Sequence, residues 1–137
     1  MSAVPEVPDR RRDGERDGRD RLVTLYAALA AHTEPECMAA CPRPMTCCAA
    51  RYCAIAIDFA AEHWDVDLEP TWHRTLPLMG PRGCVAEPHL RPICTAHTCA
   101  VCTFGEKPGD PAWTERYNDL RDAIAALETE LLGQAFV

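Results

Sequence analysis

Nine cysteines are the residues of this chain best suited to chemistry, and all of them fall in two groups. The first group, CMAACPRPMTCCAARYC, carries Cys37, Cys41, Cys47, Cys48 and Cys53. The second, GCVAEPHLRPICTAHTCAVC, carries Cys84, Cys94, Cys99 and Cys102. Thiolates are soft anionic donors that suit zinc or an iron–sulfur cluster and suit Mg²⁺ or Ca²⁺ poorly. Cys37, Cys41, Cys47, Cys48, Cys84, Cys94, Cys99 and Cys102 are the expected metal ligands, and eight thiolates would fill two tetrahedral sites. Cys99 and Cys102, with two residues between them, form the tight pair. Cys53 stands five and six residues beyond Cys48 and Cys47, so it stacks on neither along a helix, and it is expected to be a buried non-ligand. Clustered cysteines also serve as disulfide scaffolds or as small buried apolar groups.

His32, His89 and His97 are the imidazoles placed to replace a thiolate. Asp58 and Glu62 share a helical face at i, i+4, but no Glu-x-x-His mate accompanies them, so they read as solvated surface. Glu62, His63, His73 and His89 have the residue types of a metalloenzyme without a recognised catalytic spacing, and an enzyme is not the expectation. Neither cysteine group shows the paired C-x2-C of a zinc ribbon or the C-x2-C-x2-C run of bacterial ferredoxins. The residue types therefore favour metal while the spacing leaves zinc and a [4Fe–4S] cluster both open.

At 137 residues the chain has room for one domain. Phe, Tyr and Trp number nine, so the core must be built largely from Ala, Leu, Ile and Cys. A net charge of −7 argues against broad electrostatic capture of nucleic acid. Arg43, Arg51, Arg74, Arg82 and Arg91 surround the cysteine groups as a local basic patch, and nucleic acid is a disfavoured partner. A protein partner or a second copy of the chain is the favoured one. No stretch approaches the roughly 20 apolar residues that span a bilayer. The opening MSAVPEVPDRRRDGERDGRDR lacks the order of a signal peptide, so a reducing cytoplasm is the expected location.

The elements that must position these residues are mainly helical. Residues 1–18 mix opposite charges with Gly and Pro and read as a mobile tail, leaving 19–137 as a single cysteine-rich domain. From Arg19 to His32 the apolar residues Leu22, Leu25 and Leu29 recur on one face beside Tyr26, and Thr33 and Pro35 signal an exit. Thr46 is the expected N-cap of a second helix with Cys48, Tyr52, Ile55 and Phe59 on one face and Cys47 and Cys48 in its first turn. Residues 65–92 hold five prolines and two glycines and predict loops with at most short strands. Trp72, Leu76, Leu78 and Met79 are expected to cover the core from there. The last helix is the clearest: Asp110 caps it, Pro111 opens it and Gly133 ends it. Its stripe, Trp113, Tyr117, Leu120, Ile124, Leu127 and Leu131, is expected to pack on Leu22–Leu29, with Arg116, Arg121, Glu128 and Glu130 off the stripe. The expected fold is a small, mainly α domain with a long irregular cysteine-rich crossover organised by metal.

Cys37, Cys41, Cys47 and Cys48, followed downstream by Gly83-Cys84 and Arg91-Pro92-Ile93-Cys94, resemble the YkgJ-like cysteine-cluster proteins. The likeness spans about residues 37–102 and implies a bound zinc ion or iron–sulfur cluster. One residue separates Pro92 from Cys94 where that family usually has two, and the cysteine that commonly precedes its Arg-Pro is absent. The functional expectation is a metal-binding structural or assembly module with thiolate coordination. The alternatives are an iron–sulfur redox or sensor protein, a nucleic-acid-binding regulator on a metal-built surface, and a metalloenzyme.

Overall fold

The amphipathic stripes foreseen around Leu22–Leu29 and Trp113–Leu131 become the two long helices of a small, mainly α-helical domain. The structure, a computed structural model, describes residues 10–40, 48–99, 101 and 105–137, without the side chains of 10–13 and 37–40. The order is α1 (Arg10–Ala40), α2 (Ala50–Trp64), a hairpin of β1 (Met79–Gly80) and β2 (Gly83–Cys84), a 3-10 turn (Pro88–Leu90), α3 (Pro92–Ala96) and α4 (Pro111–Leu132).

Helix α4 begins and ends as its sequence dictates. Trp113 N–H donates to Asp110 Oδ1 at 3.1 Å, satisfying a main-chain donor that the first turn leaves without a partner. Gly133 closes the helix at φ +85°, where a side chain would be strained, and its N–H reaches Thr129 O at 3.2 Å. The stripe packs within the chain: Tyr117, Leu120 and Ile124 are buried together with Leu22, Tyr26, Leu29 and Val101. Glu128 departs from expectation and is fully buried. Its position four residues beyond Ile124 puts it on the apolar face, and hydrogen bonds replace the water it loses.

Helix α1 is longer than its periodicity suggests at both ends. It already runs through residues 10–18, part of the stretch expected to be a tail. Tertiary contacts hold this first portion. Arg19 Nη1 donates to the carbonyl of His63 at 2.7 Å. The backbone at Gly18 passes so near Leu131 that a Cβ there would lie 3.0 Å from its Cδ1. At the other end the helix continues past Thr33 and Pro35. Thr33 is buried and donates its hydroxyl to Thr95 O at 2.9 Å, while Pro35 sits on the exposed face. One missing N–H in an exposed turn is a smaller penalty than releasing that buried contact.

Helix α2 starts later than expected. Ala49 occupies the cap position without a side-chain bond, so Cys48 precedes the helix, and Thr46 and Cys47 lie outside the described residues. Ala56 and Ala60 of α2 pack with Leu78, Ala86 and Leu90 into a second buried cluster. Trp64 touches both clusters and joins them. Its ring lies under the Arg19 guanidinium, 5.1 Å from the centroid, and against the His89 ring at 4.6 Å.

The crossover from 65 to 91 is irregular apart from the two-residue antiparallel strands, which pair Met79 with Cys84 and Gly80 with Gly83, and the 3-10 turn at Pro88–Leu90. Its expected organisation by metal is corrected. What holds it is burial of Leu78, Ala86 and Leu90, supported by side-chain hydrogen bonds to the main chain. Thr71 Oγ1 donates to Met79 O at 2.6 Å, and Arg91 Nε donates to Ala86 O at 2.9 Å. Leu78 covers the core as expected, whereas Trp72 is fully exposed.

Candidate functional site: an apolar groove beside Cys94

Four of the described cysteines lie on or beside α2, β2 and α3. Cys48 stands just ahead of α2, Cys53 lies in its first turns, Cys84 is on β2 and Cys94 is in α3. Cys53 and Cys84 both pack against the Ala56–Ala60–Leu78–Ala86–Leu90 cluster, and Cys94 lines a groove whose floor includes Ala56. Burial pushes the Cys94 thiol up to about 11; the Arg91 guanidinium opposes that shift, and Cys84, Cys48 and Cys53 add to it. With its thiol pushed up this far, Cys94 is a neutral thiol near pH 7. The expectation that Cys53 is buried holds in part: it is half-buried.

Electrostatic influence is not coordination. A thiolate site requires donors converging to about 2.3 Å from one point. Among the described residues, no group of three or more His, Cys, Asp or Glu side chains is arranged to hold a metal ion. The expectation of a metal-binding structural or assembly module, with zinc or a [4Fe–4S] cluster as its cofactor, is corrected on that finding. So are the cluster-sensor, metal-built regulator and metalloenzyme alternatives that rest on the same centre. Of the eight expected ligands, Cys48, Cys84, Cys94 and Cys99 are described; Cys41, Cys47 and Cys102 lie outside the described residues, as does the side chain of Cys37.

The histidines have other work. His32 Nε2 is 2.9 Å from Trp113 O, and its ring stacks on Trp113 at 4.5 Å. His89 is buried edge-on against Trp64; burial lowers its pKa, and the neighbouring Glu87 carboxylate opposes the shift. His97 Nε2 stands 4.0 Å from Cys99 Sγ. Asp58 and Glu62 are exposed, as a solvated helix face requires. Of the arginines proposed as a basic patch, Arg91 bonds inward to Ala86 and pairs with Glu34 at 3.2 Å, and Arg51 lies over the Tyr52 ring at 4.8 Å.

The groove is lined by Tyr52, Ile55 and Phe59 of α2, by Ile93 and Cys94 of α3, and by Phe136. Ile55 and Ile93 are each 47% exposed, so large aliphatic surface faces solvent on both walls. Phe136 is a component the sequence reading missed. Its N–H donates to Glu128 Oε1 at 3.0 Å, and its ring packs against Phe59 at 4.9 Å and His63 at 4.8 Å. The available signal was slight: one aromatic residue shortly after a glycine helix stop.

The architecture defines a small, mainly α-helical domain with an apolar groove that has the Cys94 thiol in its lining. No family model, curated protein or solved structure matches the chain.

Proposed function

We propose that this chain is a protein-binding module whose groove receives an apolar side chain from a partner segment flanked by carboxylates. The observation that carries the reading is the pairing of exposed Ile55 and Ile93 across one apolar groove. Aliphatic side chains on two facing elements, left half in water, gain free energy when a third surface covers them. The interior space of about 60 Å³ is far below the roughly 300–1,000 Å³ of small-molecule sites, and it fits an anchor side chain better than a free metabolite. The carboxylate flanks follow from charge. On a chain of net charge −7, the exposed Arg51 projects from the start of α2 beside Tyr52, which lines the groove, while Arg91 in the groove wall is already paired with Glu34. An exposed charge beside a groove favours encounter with the opposite sign.

The experiment is a methyl NMR titration of the full chain with two synthetic peptides, each carrying a central leucine or phenylalanine, flanked by Asp and Glu in one and by Lys in the other. Saturable shifts centred on the Ile55 and Ile93 methyls with the acidic peptide, lost in Ile93→Asp, are the expected result. Equal indifference to both peptides in a monomeric sample sinks the reading. Concentration-dependent self-association abolished by Ile55→Asp would instead make a second copy the occupant.

A further inference from the structure

We infer that the loop from Thr71 to Met79 is a proton-operated lock, closed by the neutral ring of His73 and opened when that ring takes a proton on Nδ1. The inference does not depend on the groove binding any partner.

A single ring nitrogen closes the turn. His73 Nδ1 accepts the Thr75 N–H at 3.2 Å and the Leu76 N–H at 2.9 Å. Among the described residues neither amide has a second acceptor. An imidazole nitrogen accepts only through its free lone pair, so both bonds require the neutral ring with its hydrogen on Nε2. A proton on Nδ1 turns that acceptor into a donor facing two N–H groups, and both bonds break together. Closure therefore prevails above the range in which histidine titrates and is lost as pH falls through it.

The base of the loop is tied by groups that do not titrate. Thr71 Oγ1 donates to Met79 O at 2.6 Å and accepts the His73 N–H at 3.3 Å. Thr71 N–H bonds to Pro77 O, and Met79 N–H bonds to Leu76 O at 3.0 Å. Leu78, between these ties, is buried in the second cluster. Opening is thus confined to residues 72–76. Trp72 stands beside the lock and is fully exposed, so its ring takes its setting from the turn and not from packing of its own. His73 is exposed as well, and solvent protons reach it directly. Glu69 and Arg74 flank the ring in sequence, and Arg82 lies in the hairpin turn. All three are exposed, and no ion pair joins any of them to the ring. No paired carboxylate therefore compensates the charged ring for the two bonds it gives up.

The test is an NMR titration of the full, isotope-labelled chain from about pH 8 to about pH 5. Long-range proton–nitrogen spectra of the neutral His73 ring should show a bare Nδ1 and a protonated Nε2. The Thr75 and Leu76 amides and the Trp72 indole N–H should shift with the midpoint of the His73 ring, while the Met79 and Val85 amides hold their positions. His73→Asn sets a side-chain amide oxygen near the place of Nδ1 and takes no proton there, so its Thr75 and Leu76 amides should stay bonded across the range. His73→Ala should give the open positions at every pH. A neutral ring carrying its hydrogen on Nδ1 overturns the inference. So do Thr75 and Leu76 amides that keep their shifts while the ring titrates, a common midpoint that extends to Met79 and Val85, or a pH step that survives in His73→Asn. The wild-type titration decides the matter even where a variant does not fold. A positive titration beside indifference to both peptides would leave the lock standing while the groove reading falls.

Discussion

Tyr26 and Glu128, 102 positions apart in the chain, meet inside the helical core, where the phenol donates to Glu128 Oε2 at 2.6 Å. Both residues have 0% of their surface exposed. This bond ties α1 to α4, and the other carboxylate oxygen holds the Phe136 amide. The buried glutamate thus links the helix pair to the segment that forms one wall of the groove.

Tyr26→Phe removes the donor and leaves a buried carboxylate oxygen without its partner. We expect a loss of about 1.5–3 kcal/mol, the range for hydrogen bonds to charged groups. Urea unfolding followed by circular dichroism measures it through a lower midpoint at unchanged slope. A shift indistinguishable from zero would mean that water or another group replaces the phenol.

Burial raises the Glu128 pKa, against the opposing pull of its bonds from Tyr26 and the Phe136 and Val137 amides. A carboxyl whose folded pKa lies above its unfolded value is bound to a proton more often in the folded state. Its contribution to stability is therefore greatest below the ordinary carboxylate pKa and declines as pH rises towards the folded value. Glu128→Gln removes this titration, so its stability difference from wild type should move in the mutant's favour as pH rises through that window. Parallel stability curves for the two proteins would contradict the assignment.

His89 acts with the opposite sign. Its pKa is lowered by burial, so folding favours the neutral ring, and stability from this site is present above the unfolded value and lost as pH falls through it. An NMR titration should show the His89 ring protonating below the ordinary histidine midpoint. Protonation at or above that midpoint would show that the Glu87 carboxylate, 3.5 Å away, outweighs desolvation.

Two truncations separate core from surface. Ile124 has no exposed surface and packs between α1 and α4, so Ile124→Ala should cost about 2–5 kcal/mol. Trp72 is the larger side chain yet is fully exposed, so Trp72→Ala should fall within about 0.5 kcal/mol of wild type. Thermal unfolding of both variants gives the comparison. A costly Trp72→Ala would place that ring in a contact outside the described residues.

The cap of α4 gives a smaller and local effect. Asp110→Ala leaves the Trp113 amide without its acceptor and should cost about 1 kcal/mol. It also removes one of the two carboxylates near Lys107, the other being Glu36 at 2.7 Å. Amide exchange confined to the first turn of α4 should quicken in this variant. Uniform acceleration along the helix would point to a global effect.

Local rules in the sequence carry the helical class, the cap and stop of α4, the intramolecular pairing of its stripe with Leu22–Leu29, and the irregular run from 65 to 92. The cap, the stop and the stripes depend on residues within a turn or two of one another: Asp110 with Trp113, Gly133 with Thr129, and apolar side chains at a spacing of three and four; the pairing follows because each of the two stripes needs an apolar face to cover it. Tertiary contacts decided the remainder. Pro35 reads as a terminator because its neighbours alone favour an exit, but Thr33 is bonded to a carbonyl 62 positions away. Glu128 reads as surface because its charge is visible in the sequence, while the phenol and amide that satisfy it are not. The cysteines show their type at once. Whether their sulfurs converge on one point depends on how α2, β2 and α3 pack, because coordination is set by ångström-scale geometry that spacing along the chain does not encode.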